Sequence, residues 1–143
     1  MARISAALES GRRVRVTDGK HTWFADEPAS LGGADSAPDP YALLLGSLAA
    51  CTCVTIAMYA AHKQIALRRV EASLELARVH ADDCEECEDD AVGFIDRIGV
   101  DVKVQGSFTD AERLRLTQVA TRCPVHKTLA NGVVFADAIT FVE

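Results

Sequence analysis

The sequence predicts an α+β protein with a mostly antiparallel sheet, and three observations predict it. Apolar and polar residues alternate in short runs, a helix-length segment without charges divides those runs into groups, and cap signals mark two further helices late in the chain. The resulting order is three strands, a long helix, two strands, two helices and a strand, with no internal repeat.

Ile4, Ala6 and Leu8 alternate with polar neighbours as far as a Ser10–Gly11 turn, and Val14 and Val16 then alternate with Arg13, Arg15 and Thr17. Asp18–Gly19 is a two-residue hairpin signal leading into a third strand from His21 to Ala25. Glu27 to Pro38 holds Pro28, Gly32, Gly33, Asp35 and Ser36, so it reads as a loop of about a dozen residues. Pro40 to Ala61 then runs about 22 residues without a charge, the length that crosses a bilayer. Gly46, Ser47, Thr52 and Thr55 dilute it, two cysteines lie in its middle and its flanks are patterned as soluble strands. The expectation is a central helix, apolar on all sides because other elements surround it. Asp39 is its N-cap, Pro40 its first residue, and His62 and Lys63 suit its C-terminus.

Beyond the helix, Val70, Ala72, Leu74 and Leu76 alternate with Glu71, Ser73 and Glu75, and Ile98, Val100, Val102 and Val104 alternate with Gly99, Asp101 and Lys103. Both are strands with one wet face. Thr109 and Glu112 form a capping box before a helix carrying Leu114, Leu116 and Val119. The chain breaks at Cys123–Pro124, a short helix reaches Ala130, Asn131–Gly132 caps it, and Val133 to Val142 reads as a last strand.

A chain of 143 residues is expected to be one domain, 1–143. With 49% hydrophobic and 25% charged residues it has a globular composition, which excludes disordered, collagenous and solenoid classes. The net charge of −6 is local: seven of the 21 acidic residues lie between Asp82 and Asp90, and the rest of the chain is nearly neutral. Without a basic run there is nothing to hold a phosphate backbone, so nucleic acid is not expected as a partner. Five cysteines, behind an N-terminus without signal architecture, point to the cytoplasm and argue against a disulfide framework.

Cys123 precedes Pro124 and so falls at an N-cap, where free backbone N–H groups and the helix dipole stabilise a thiolate; a buried structural cysteine is the other reading. Cys51 lies among Ala49, Ala50 and Thr52, small residues that leave room for a ligand or for close packing. Cys53 points about 200° away from it around the helix. His80, Cys84 and Cys87 have the spacing of three zinc ligands but lack a fourth, and a redox-sensitive loop fits them equally, so no metal ligand and no cofactor is assigned. His62 and His126 read as surface residues or dipole partners at helix ends, while His21 reads as a strand residue.

Together these motifs carry a resemblance. Asp26-Glu27-Pro28, Gly32-Gly33, Pro38-Asp39-Pro40-Tyr41, Ala50-Cys51-Thr52 and Cys123-Pro124-Val125-His126-Lys127 resemble the OsmC/Ohr family of thiol peroxidases from about residue 11 to the C-terminus. His80 to Cys84 with Cys87-Glu88 is similar to a branch of OsmC-like proteins sometimes fused behind an α/β-hydrolase domain.

The resemblance implies an intertwined homodimer in which long central helices cross, wrapped by sheet, with active sites at the subunit interface. It implies that Cys51 is the peroxidatic residue and Cys123 the resolving one, with an organic hydroperoxide as substrate and a lipoamide-like or thioredoxin-like dithiol as reductant. Members usually carry a glutamate at the helix start that orients an activating arginine; here Tyr41 and Ala42 occupy that turn. Arg13 and Arg15 are the candidate cations, or else a solvated strand face. The alternative to a cytoplasmic hydroperoxide reductase, without membrane partner, is a non-catalytic dimeric redox sensor or ligand- or metal-binding protein of the same family.

Overall fold

A computed structural model describes residues 2–88 and 90–142. The chain divides into two compact units, 1–47 and 48–143. Long helix α1, Pro40–His62, runs from the first into the second.

In the first unit β1 (Ser5–Ser10), β2 (Arg13–Thr17) and β3 (Thr22–Ala25) form an antiparallel meander, with β1 paired to β2 and β2 to β3. The three runs expected from alternation are therefore present. The second hairpin differs from its two-residue expectation: Thr17 pairs with Thr22, leaving a four-residue loop, 18–21. Asp18 explains this, because its Oδ1 accepts the Lys20 and His21 amides at 2.8 and 2.6 Å and so builds a wider turn. His21 is thereby an exposed turn residue, bonded through Nδ1 to Asp18, and not part of a strand.

Between Ala25 and α1 the chain folds around the buried Asp26, whose Oδ2 accepts both the Ser36 amide (3.1 Å) and the Ser36 hydroxyl (2.6 Å). The Asp26 amide bonds the Pro38 carbonyl and the Asp35 amide bonds that of Glu27, so the loop is tied at both ends. Gly33 sits where an added Cβ would run into the Glu27 carbonyl, so only glycine passes there. Asp39 Oδ1 accepts the Ala42 amide at 3.0 Å, the N-cap expected for α1.

The second unit is built on a long antiparallel hairpin, β4 (Ala66–His80) with β5 (Phe94–Ser107), paired from Ala66–Ser107 to His80–Phe94 with a bulge between Leu67 and Arg69. Val70, Ala72, Leu74 and Leu76 are half-buried while Glu71, Ser73 and Glu75 are exposed, as the alternation requires. Helix α2 (Asp110–Ala120) opens on the capping box read from the sequence: Thr109 Oγ1 accepts the Glu112 amide and Glu112 accepts the Thr109 amide. Leu116 is its buried residue; Leu114, about 200° away, is exposed. Helix α3 (Pro124–Asn131) ends at Gly132 as expected.

Two expectations are corrected. Helix α1 is not enclosed: Leu48, Thr52, Ile56 and Ala60 form a buried stripe at four-residue spacing, whereas Val54 and Met58 on another face are exposed. The last strand is absent as well. Residues 133–142 pair with no strand among the described residues, and Val134, Phe141 and Val142 are at least 90% exposed. A strand requires an edge to satisfy its N–H and C=O groups, which this segment does not find among the described residues.

Candidate thiol site

The buried stripe of α1 brings Thr52, and with it the neighbouring Cys51, to the start of α3. Cys123 is the N-cap of α3, with no exposed surface, and its sulfur accepts the His126 amide at 3.3 Å. Pro124 at the first helical position lacks an N–H and presets the turn, which is why Cys-Pro reads so clearly as a helix start.

Thr52 Oγ1 lies 3.7 Å from the Cys123 sulfur and donates to the Leu48 carbonyl at 2.9 Å. A hydroxyl has one proton, so with that proton on Leu48 the thiol is the donor to Thr52. When the thiol ionises, the hydroxyl must turn toward sulfur. Burial is the largest influence on Cys123 and pushes its pKa up. The His126 amide, the Thr52 hydroxyl, the Cys51 thiol and the Val125 amide together outweigh burial, leaving the thiol more acidic than usual. Cys51 is thus one of the groups that acidify Cys123, and Cys123 combines the two readings left open for it, an acidified N-cap and a buried cysteine.

A cavity of about 390 Å³ adjoins the cluster, within the size range of small-molecule sites. Val100, Val102 and Val104 of β5, with Phe108 and Leu116, give it an apolar wall; Thr52 and His126, which both bond the Cys123 sulfur, also line it. Arg113, with its guanidinium 5.7 Å from the Phe108 ring, supplies a cation. Sequence reasoning overlooked Thr52 and Arg113 and misplaced His126. Being near the start of α3, His126 cannot act as a C-terminal dipole partner; it walls the cavity. The proximity of Thr52 to Cys51 was the available signal.

In the first unit Arg13 donates to Ser36 Oγ at 2.7 Å, stacks 4.0 Å above Phe24 and faces Glu9, which also pairs with Arg15. These are specific contacts, unlike a freely solvated strand face.

His80, Cys84 and Cys87 form no metal set. Cys84 and Cys87 are joined in a disulfide, the outcome on the side of the redox-sensitive loop, and a disulfide sulfur is no zinc ligand. Among the described residues no group of three or more His, Cys, Asp or Glu is placed to hold a metal ion.

Fold and site define a class: an α+β protein in which a long helix sets a threonine, next to a cysteine, against a cysteine at a short helix's N-cap, with an apolar cavity adjoining. The model of the OsmC-like protein family matches residues 33–136, and the chain belongs to that family. Solved structures agree with the fold. An OsmC-like protein from Mycoplasma pneumoniae is 22% identical with a TM-score of 0.70, covering 91% of this chain and 87% of that one. An organic hydroperoxide resistance protein from Legionella pneumophila is 24% identical (TM-score 0.60; 89% and 87% covered), and OhrB of Bacillus subtilis, an organic hydroperoxide resistance protein, is 25% identical (TM-score 0.52; 89% and 88%). No curated protein matches the chain in sequence.

Proposed function

We propose that the protein reduces organic hydroperoxides in hydroperoxide resistance, using Cys51 and Cys123 as a redox pair. The observation that supports this reading is the buried, acidified Cys123 bonded to Thr52, the neighbour of Cys51, with an apolar cavity adjoining, in a chain of the OsmC-like family. The Cys51 thiolate attacks the distal oxygen of ROOH; the O–O bond breaks, ROH leaves with a proton, and Cys51 becomes a sulfenic acid. Cys123, acidified at its N-cap, attacks that sulfur and releases water, leaving a Cys51–Cys123 disulfide. A lipoamide-like or thioredoxin-like dithiol then returns two electrons and two protons by exchange. The Val100, Val102, Val104 wall suits an organic R group better than hydrogen peroxide.

The working form on this reading is a cytoplasmic homodimer without nucleic-acid or membrane partners, and residues 1–143 act as one domain. The family match supports the last point, since it runs across the boundary between the two compact units. Stopped-flow measurement of thiol loss tests the activity. Cumene hydroperoxide should react faster than hydrogen peroxide, Cys51→Ser should abolish turnover, and Cys123→Ser should leave a trappable sulfenic acid. Stoichiometric oxidation without turnover by any dithiol would instead support a redox sensor.

A further inference from the structure

The connection between β4 and β5 carries a disulfide that the peroxidase reading does not use. The hairpin closes at His80–Phe94, where the Ala81 amide bonds the Gly93 carbonyl at 2.8 Å, and the disulfide spans Cys84 and Cys87 beyond it with Cα atoms 5.4 Å apart. Both cysteines are half-buried. Arg97, on β5, holds Glu86 by two bonds, Nε to Oε2 at 3.1 Å and Nη2 to Oε1 at 2.6 Å. That places Glu86 Oε2 3.9 Å from the Cys84 sulfur. A disulfide sulfur has no proton to give, so this contact is a fixed carboxylate beside a reactive sulfur. Asp82, Asp83, Glu85, Glu88 and Asp90 are exposed around it.

We propose that Cys84–Cys87 is a second redox centre, a hairpin-tip disulfide that exchanges with neutral or cationic dithiols and turns away anionic ones. An incoming thiolate attacks one sulfur, the S–S bond breaks, and the other sulfur leaves and takes up a proton. The donor's second thiol then attacks the mixed disulfide, so the donor departs as a disulfide while Cys84 and Cys87 hold two electrons and two protons. Closing the pair again is entropically easy, because only two residues separate the cysteines. Selection follows from charge: the exchanging sulfur must come within bonding distance of a cluster of carboxylates, and that repulsion is screened by salt over about 8–10 Å.

The test uses the folded chain, reduced with dithiothreitol, desalted, and reoxidised by either glutathione disulfide, an anion, or cystamine, a cation. Timed alkylation and trypsin digestion read this pair separately, because Cys84 and Cys87 fall in the fragment 79–97 and Cys123 in 123–127. Cystamine should close the pair at least several-fold faster than glutathione disulfide in dilute buffer, with the gap narrowing as salt is added. Glu86→Gln should speed the glutathione disulfide reaction several-fold and leave the cystamine reaction unchanged or slower. The proposal falls if the native disulfide resists excess dithiothreitol, if the dithiol stays open in both oxidants, or if the rate ratio ignores salt and Glu86→Gln. None of these outcomes depends on Cys51 or Cys123, so the peroxidase reading stands or falls separately.

Discussion

Single residues set the chemistry of the thiol cluster, and Thr52 is the most informative of them. Its hydroxyl is shared between the Leu48 carbonyl and the Cys123 sulfur, so Thr52→Val removes a donor to the thiolate while preserving shape. One hydrogen bond is worth about 1 kcal/mol, so alkylation of Cys123 near neutral pH should slow about fivefold, with its pH profile moving up. Thr52→Ser should restore it; a profile unchanged in Thr52→Val would remove Thr52 from the mechanism. Asp26 makes a second test. The Ser36 hydroxyl, then the Ser36 amide, hold its carboxyl below the usual range. A carboxyl lowered in the folded state adds stability that is full above its unfolded pKa and is lost as pH falls through the folded one. Asp26→Asn should therefore flatten the fall in melting temperature on acidification from pH 7, and an unchanged slope would show that other carboxylates govern it. Neither role was legible in the sequence, because a threonine in mid-helix and an aspartate before a loop are ordinary until the fold supplies their partners.

At the scale of elements, what the sequence foretold was local. The Thr109–Glu112 capping box, Pro40, Pro124 and Gly132 each act within a few residues of themselves, and each marks the helix boundary expected of it. The Asp18 turn was misread by two residues because its side chain, and not only its backbone, shapes the loop. The Cys84–Cys87 spacing left zinc and a redox-sensitive loop equally open, and the turn decides it by bringing the two sulfurs together. Gly106 on β5 links element to site. An added Cβ there would press on the Ala66 carbonyl of β4 and on the Phe108 ring, and that ring walls the cavity and stacks with Arg113. Gly106→Ala is expected to destabilise the chain by about 1–3 kcal/mol through overpacking. It should also perturb the selectivity between cumene hydroperoxide and hydrogen peroxide. An unaltered melting temperature together with unaltered selectivity would show that Phe108 moves aside freely.

Many large apolar side chains are exposed in the single chain. Val54 and Met58 of α1 are exposed, β1 is an edge strand exposed along its length, and Val133, Val134, Phe135, Ile139, Phe141 and Val142 stand open after α3. Exposed apolar residues in such number favour association with another copy. The sequence signals for a fully covered α1 and for a terminal strand fail within one chain, because apolar patterning marks residues suited to burial without saying which chain buries them. The prediction is a homodimer in which 133–142 of one chain adds to a sheet edge of its partner, sedimenting at about twice the chain mass of 15.3 kDa at micromolar concentration. Phe135→Glu with Phe141→Glu should weaken the dimer strongly, since each places a charge on a surface meant for burial, and it should reduce peroxide turnover if the active sites form at the interface. The two substitutions lie outside α1, α2 and α3, so a loss of assembly with the secondary-structure content retained would be specific to the interface. A folded wild-type monomer at that concentration would overturn the dimer, and an undisturbed dimer in the double variant would show that the tail is covered in some other way.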